Sequence, residues 1–491
     1  MNFENFQDND AITVQMFLTA CKTEAVLGEL FIKYNTTYTS TGIIPHYVYC
    51  NKYFYAYDCQ TRIWEELESD ILNARIERWV RTEYEVIRRD AGVDTDKIIE
   101  LSKAVDKVLR FKHIDCVLKN LKNTISDIEF FEKLDRVRPN WLPIKGGLVI
   151  NLQTNETRER RIDDYFSWEC PVKPVKQFSD FFLKVISSIM CDNKENLAYF
   201  QKMMGYCITG SKEAQSYFIW YGKGSNGKSL ILNLLKAVLG KACEPVTKSV
   251  LIDAGKKGSN GTEVVSLKDL RLGTFSETNS QDALNESMLK MISGGDKIKA
   301  RGLYKDEISF ELFLKLIVCT NHKPEFNGSD HGTVRRIKFL PFEARFSATP
   351  KGINQYPIID DLENILIKNY LDEFFTFCLW GANAWYNDKL FQNIPEAIAK
   401  QQNDYIKEQN TVETWFTERV DENPLKKISR PDCYKDYTKW CEENASSSLS
   451  KKDFFTKITE KCGKTYKSHG IVCYKGYELR NENFDTEDES L

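Results

Sequence analysis

Apolar residues along this chain change their period from region to region, and the changes predict a mixed architecture. Short apolar runs bounded by turn residues mark buried strands: Tyr217-Phe-Ile-Trp-Tyr221, Leu270-Arg-Leu-Gly-Thr-Phe-Ser276, Leu314-Lys-Leu-Ile-Val-Cys-Thr320 and Ile337-Lys-Phe-Leu-Pro-Phe342. With a helical stretch from Leu230 to Leu239 behind the first of them, they predict an α/β unit around a parallel sheet. Upstream, residues 70 to 135 carry the spacing of amphipathic helices with dense surface charge, and residues 178 to 209 read as helices leading into the sheet. Residues 41 to 67 alternate like strands and hold Tyr47, Tyr49, Tyr53, Phe54, Tyr55, Tyr57 and Trp64. Those rings suit a small β core better than a base-stacking face. Gly146 to Glu156 has a hairpin pattern, and Pro171-Val-Lys-Pro174 marks a boundary. Downstream, Tyr434 to Glu443 and Lys451 to Lys461 read as helices, while Tyr466 to Leu479 alternates like two short strands around Gly470 and Gly476. That order, helix, helix, hairpin, is the order of a winged helix. The organisation expected is therefore an α-rich N-terminal accessory domain over 1–174, an α/β core with flanking helices over 175–410, a winged-helix-like domain over 411–480 and a tail over 481–491.

Composition narrows the class. The 491 residues are enough for about three domains, and 42% hydrophobic with 28% charged residues fits globular folding. No apolar run approaches the roughly 18 residues of a membrane span, so no membrane partner is expected. The first ten residues are acidic and polar, unlike a signal peptide, which points to a protein kept inside a cell. The 14 cysteines are scattered without a C-x-x-C pair and read as reduced thiols. Cys441, Cys462, His469 and Cys473 form the tightest group, but their irregular spacing among apolar neighbours fits burial better than zinc. A net charge of −3 argues against a uniformly basic nucleic-acid coat, so any DNA contact has to come from local patches.

The most specific chemistry follows the first strand. Gly222-Lys223-Gly224-Ser225-Asn226-Gly227-Lys228-Ser229 is the full eight-residue pattern of a phosphate-binding loop in strand-loop-helix context. Its glycines let backbone N–H groups face phosphates, the helix start adds positive potential, Lys228 is suited to the β/γ-phosphates of ATP, and Ser229 to Mg²⁺. The second strand ends in Glu277, placed to polarise a water or to hold the metal, and the third in Asn321, an amide suited to orient that water. Arg335 and Arg336 stand together just before the fourth strand.

These elements, with Gly294-Gly295-Asp296 between the second strand and the third, are similar in order and spacing to the superfamily 3 helicases of DNA viruses and mobile elements. More narrowly they resemble the helicase half of poxvirus-type and phage primase-helicases, through Glu277, Gly294-Gly295-Asp296, Thr320-Asn321 and Arg335-Arg336. Asn151 to Glu156 resembles that family's pre-helicase domain, and residues 411 to 480 its C-terminal domain. The resemblance implies an AAA+-like ATPase core, Lys228 and Ser229 as first-motif residues, Glu277 as second-motif acid, Asn321 as polar sensor and Arg335 or Arg336 as a finger supplied to a neighbour in a hexameric homo-oligomer. It further implies replication in the cytoplasm of an infected host cell, beside a separate primase or polymerase. Many members carry two adjacent acids in the second motif, whereas Ser276 precedes Glu277 here. The mainly helical stretch upstream is not expected to hold a primase site, so no primer synthesis is expected of this chain.

Between Asp296 and Phe310, the residues Lys297, Lys299, Arg301 and Lys305 accompany Tyr304 and a turn-compatible Gly302, a composition suited to a hairpin gripping single-stranded DNA. The resembling family places its translocating hairpin at this point. From Leu425 to Arg480 there are 13 Lys or Arg against 7 Asp or Glu, a local excess of six, while the last eleven residues hold five acids and no base. A winged helix with this charge is as suited to docking a protein as to binding DNA. An ATP-driven helicase on single-stranded DNA is the reading expected. A nucleotide-dependent origin-assembly or scaffold protein with slow hydrolysis, a packaging motor and a metabolic P-loop kinase are the alternatives.

Overall fold

The computed structural model describes residues 12–40, 42–90, 92–252, 261–276, 284–301, 307–324, 331–388, 391, 393–444 and 448–480. It is a mixed α/β protein whose centre is a five-stranded, all-parallel sheet. Its strands are β1 (Tyr217–Tyr221), β2 (Cys243–Pro245), β3 (Leu272–Phe275), β4 (Lys315–Thr320) and β5 (Ile337–Pro341). Their order across the sheet is 2-3-4-1-5. A parallel sheet carries helices or loops on both faces, so its central strands lose the polar-apolar alternation of a half-exposed strand. Tyr217 to Trp220 and every residue of β4 are buried accordingly. One large apolar cluster covers one face with the helices Asp180–Ile189, Lys194–Ile208, Lys228–Leu239 and Leu371–Asp388. A second lies on the other face, where Leu289 and Ile292 of the helix Glu286–Gly294 meet Ile219, Leu316 and Phe339.

Ahead of the sheet, two short helices, Val14–Lys22 and Glu24–Tyr34, pack with the longer helices Ser69–Arg89, Thr95–Val108 and Phe111–Thr124 around one core. The aromatic segment is a three-stranded antiparallel sheet, Tyr47–Cys50, Tyr53–Asp58 and Ile63–Leu67. Tyr47, Phe54, Tyr55 and Trp64 are buried, and Trp64 donates its indole N–H to the Ile162 carbonyl at 3.2 Å. These rings hold the small sheet together.

The hairpin pattern at Gly146 extends to three strands, Trp141–Ile144, Leu148–Asn151 and Thr157–Glu159. At the far end, the helices Thr411–Arg419, Arg430–Glu443 and Lys451–Cys462 pack against a three-stranded sheet with Ile471–Leu479 in the middle, Val420–Ser429 on one side and Tyr466–Ser468 on the other. Cys433, Cys441 and Cys473 are buried in this unit. Gly476, expected at a turn, lies inside the central strand with φ +93°, and Gly470 with His469 makes the tight turn. Among the described residues no helix is long and apolar enough to cross a membrane.

Candidate functional site

In a parallel sheet the side chains that leave the carboxyl ends of the strands meet in a crevice, and the loop after β1 lies there. The backbone of this loop is committed to unusual angles. Gly224 has φ +98°, Ser225 φ +48°, and Gly227, at the cap of the helix Lys228–Leu239, φ +89°. Gly222 is required for another reason: a Cβ there would lie 2.1 Å from Asn226 Nδ2 and 2.7 Å from the Phe342 carbonyl oxygen. The loop is also pinned from outside. Gly222 N donates to the Thr320 carbonyl at 3.2 Å, Phe346 N to the Ser225 carbonyl at 2.8 Å, and Asn226 Nδ2 to the Phe342 carbonyl at 3.3 Å. The ends of β4 and β5 therefore hold the loop open.

Some helices of the chain have side-chain caps on their first N–H groups, from Thr13, Asp94, Ser179, Asn193, Ser429 and Ser450, while others, such as Ser69–Arg89 and Phe111–Thr124, have none. The helix behind the loop has none. Its first-turn N–H groups and its dipole are left for an anion. Lys228, only 7% exposed, donates to the Gly222 carbonyl at 2.7 Å, to Asn226 Oδ1 at 3.2 Å and to Asn321 Oδ1 at 3.3 Å. Burial pushes its ammonium below the ordinary lysine range, so an anion brought beside it would favour the charged form.

A cavity of about 480 Å³ opens here, lined by Gly224 to Leu230, Ser276, Cys319, Thr320, Asn321 and His322. Val185, Ile189, Phe346, Ile358, Ile359 and Leu362 form an apolar side. Ile358 is 53% exposed and Ile359 38% exposed, although both face the cavity. The lining therefore combines polar and apolar groups, as small-molecule cavities usually do. No sequence motif marked that apolar wall, because its members are ordinary apolar residues brought together from distant segments. Asn226 was legible only as a loop residue; its bridge between Lys228 and β5 is tertiary.

The structure thus brings Lys228, Ser229 and Asn321 to one cavity, with Ser276 at its edge. Glu277 follows Ser276 directly but lies outside the described residues, as do Tyr304, Lys305 and the tail 481–491. Arg335 and Arg336 are elsewhere. Ile337 pairs with Tyr217, and Pro341 with Tyr221, so the two arginines stand by the start of β1 while the loop leaves its end, roughly 15 Å away at about 3.3 Å per residue. Exposed Arg335 donates to Gln215 Oε1 at 3.2 Å, and Arg336 to the Gly332 carbonyl at 2.7 Å. Lys297, Lys299 and Arg301 lie on the outer face of an antiparallel hairpin, Lys297–Arg301 with Glu307–Glu311, while Ile298 and Ala300 face the core. Lys297 is registered against Glu311 and Arg301 against Glu307, whereas Lys299 faces Ser309.

Two family models match the chain side by side: D5 N terminal like over residues 29–206, and a family of unknown function, DUF5906, over residues 220–336. The second spans the loop, the hairpin, Asn321 and the arginine pair. A putative helicase of Acanthamoeba polyphaga mimivirus is 28% identical over 274 residues, covering 53% of this chain and 28% of that protein. A putative primase of African swine fever virus is 26% identical over 346 residues, covering 67% and 35%. The chain is thus similar, over part of its length, to proteins of large DNA viruses named putative helicase or putative primase. A putative helicase of Invertebrate iridescent virus 3 is 26% identical and covers 52% of this chain and 28% of its own length. The match thus takes in about a third or less of each relative. Among solved structures, the apo C-terminal region of NrS-1 aligns with 92% of this chain and 98% of its own, at 11% identity and a TM-score of 0.45.

Proposed function

We propose that this chain is an ATP-driven helicase of the superfamily 3 type that moves along single-stranded DNA during the replication of a virus or mobile element. The observation that carries the reading is the position of Lys228, buried at an uncapped helix start and lining a cavity with both polar and apolar groups. On this reading the sheet is an AAA+-like P-loop core, the loop N–H groups and Lys228 bind the phosphates of ATP, and Asn321 orients water beside them. Ser229 and Glu277 are the side chains that would hold Mg²⁺, which neutralises phosphate charge when bound with the nucleotide.

The separation of Arg335 and Arg336 from the loop of their own chain supports a shared site. An arginine at the start of β5 cannot reach the cavity at the end of β1, but in a ring it can face the cavity of the next subunit. We therefore assign the chain to a homo-oligomeric ring, hexameric as the family resemblance implies. The outer face of the Lys297–Glu311 hairpin is the proposed DNA grip, with Lys299 its least compensated described cation. The C-terminal unit reads as a winged helix, a separate primase or polymerase is the expected partner, and the inside of the host cell the expected place of action. Steady-state ATP hydrolysis with and without single-stranded DNA tests the reading: turnover that rises with DNA supports it. Ser276, where many members of the resembling family carry an acid, lines the cavity and favours a second reading, nucleotide-dependent assembly with slow hydrolysis. Slow turnover indifferent to DNA would select it.

A further inference from the structure

The N-terminal region touches the root of the hairpin through one buried side chain. Arg136, whose side chain is 9% exposed, follows the short helix Phe130–Lys133 and points into the core. Its guanidinium lies 5.3 Å from the centre of the Phe313 ring and 6.0 Å from that of Phe310. Its Nη2 donates to the Lys268 carbonyl at 2.9 Å and stands 4.0 Å from Asp269 Oδ1. Phe310 belongs to the returning strand of the hairpin and is registered against Ile298, the residue between Lys297 and Lys299. A single chain of contacts therefore runs from Arg136 through Phe310 and Ile298 to the outward-facing cations.

The same segment also holds the start of β3. Arg271 Nη1 donates to the Pro139 carbonyl at 2.8 Å, and the Lys268 ammonium lies against the Phe131 ring. β3 ends at the cavity through Ser276. Residues 131–139 thus lie along both the strand that leads to the cavity and the root of the hairpin. The planar guanidinium spans two rings and a carbonyl at once, which a lysine ammonium of the same charge cannot do.

We infer that Arg136 is a positioning residue by which the N-terminal region fixes the hairpin root, and so sets the concentration at which single-stranded DNA raises nucleotide turnover. This rests on the motor reading above. The test measures turnover against the concentration of an oligothymidylate for the wild type, Arg136→Lys and Arg136→Gln, each also combined with Lys299→Ala, with melting temperatures recorded for all. Arg136→Gln should keep the wild-type KM for ATP in basal turnover while raising the DNA concentration for half-maximal stimulation by about 3-fold to 10-fold, a coupling of the usual size between sites. Arg136→Lys should fall between it and the wild type. In the Lys299→Ala background the Arg136 substitutions should add little, because both act on one hairpin. Basal and stimulated turnover falling together, additive effects with Lys299→Ala, or no shift in a stimulated enzyme would each overturn the inference and leave the motor reading intact. A wild type that DNA does not stimulate would remove both.

Discussion

Alanine at Gly222 and alanine at Gly224 separate two reasons for glycine within one loop. At Gly222 the backbone does not sit in the left-handed region, but the added methyl would meet Asn226 Nδ2 at 2.1 Å and the Phe342 carbonyl oxygen at 2.7 Å. The carbonyl cannot retreat easily, because Phe342 N is bonded to the Tyr221 carbonyl at 2.7 Å. Asn226 must give way instead, losing its 3.3 Å bond to Phe342 and its 3.2 Å contact with Lys228. Loss of a buried amide hydrogen bond costs about 1–3 kcal/mol and overpacking about 1–3 more, so Gly222→Ala should cost roughly 2–6 kcal/mol. At Gly224, φ is +98° but nothing lies within 4 Å, so alanine should cost only the left-handed strain of about 1–2 kcal/mol. At about 2–4 °C per kcal/mol, the thermal midpoint of the sheet should drop roughly 4–24 °C for Gly222→Ala and about 2–8 °C for Gly224→Ala. The KM for ATP should rise in Gly222→Ala, because Asn226 no longer holds Lys228. Thermal unfolding followed by tryptophan fluorescence, with ATP titrations of both variants, checks the order. A Gly222→Ala protein as stable as wild type, or one less perturbed than Gly224→Ala, would refute the packing argument.

The remaining predictions concern charge. Of Arg335→Ala and Arg336→Ala, one should lower turnover by on the order of 10³ as a finger lost from the neighbouring site, and mixing that variant with Lys228→Ala should restore part of it. Mixed rings without recovery would count against shared sites. Lys299→Ala should reduce the salt slope of single-strand binding by about 0.7, read from binding isotherms over a range of salt; an unchanged slope would place the phosphate grip elsewhere. Burial lowers Lys212 from 10.5 to about 7, so above about pH 7 the unfolded chain binds the extra proton and stability rises with pH towards 10.5. Lys212→Met should lack that rise, and denaturation midpoints for the two proteins at pH 7 and about pH 9 would show it; a constant difference between them would mean the folded ammonium keeps its proton.

Local physics made much of the sheet legible. β1, β3, β4 and β5 are apolar runs because parallel strands are covered on both faces, and the loop after β1 needs residues whose spacing is visible in the chain itself. Asn321 was readable as the residue that ends β4. The contacts that matter beyond these were not local. Lys315 is buried and Lys212 part-buried, donating to carbonyls at the ends of helices, Thr209 and Ile292 among them. A sequence cannot distinguish such lysines from solvated ones. The strand Val420–Ser429 escaped notice because Pro424 and a run of polar residues interrupt its pattern, and its register with Ile471–Leu479 does shift between Glu422 and Lys427. The helices Val14–Lys22 and Glu24–Tyr34 are short, and only their packing on Ser69–Arg89 and Phe111–Thr124 explains them. The distance between the arginine pair and the loop follows from strand register, which no spacing along the chain reveals.

Strand displacement on a forked DNA substrate, compared between the wild type and Lys228→Ala with ATP present, tests the proposed motor most directly. Wild-type protein should separate the strands only with ATP, and Lys228→Ala, whose loop backbone survives while the phosphates lose their main point charge, should fold normally yet neither hydrolyse ATP nor displace a strand. Hydrolysis persisting in Lys228→Ala above a tenth of the wild-type rate, or a wild type that hydrolyses ATP but displaces no strand of either polarity, would contradict the account.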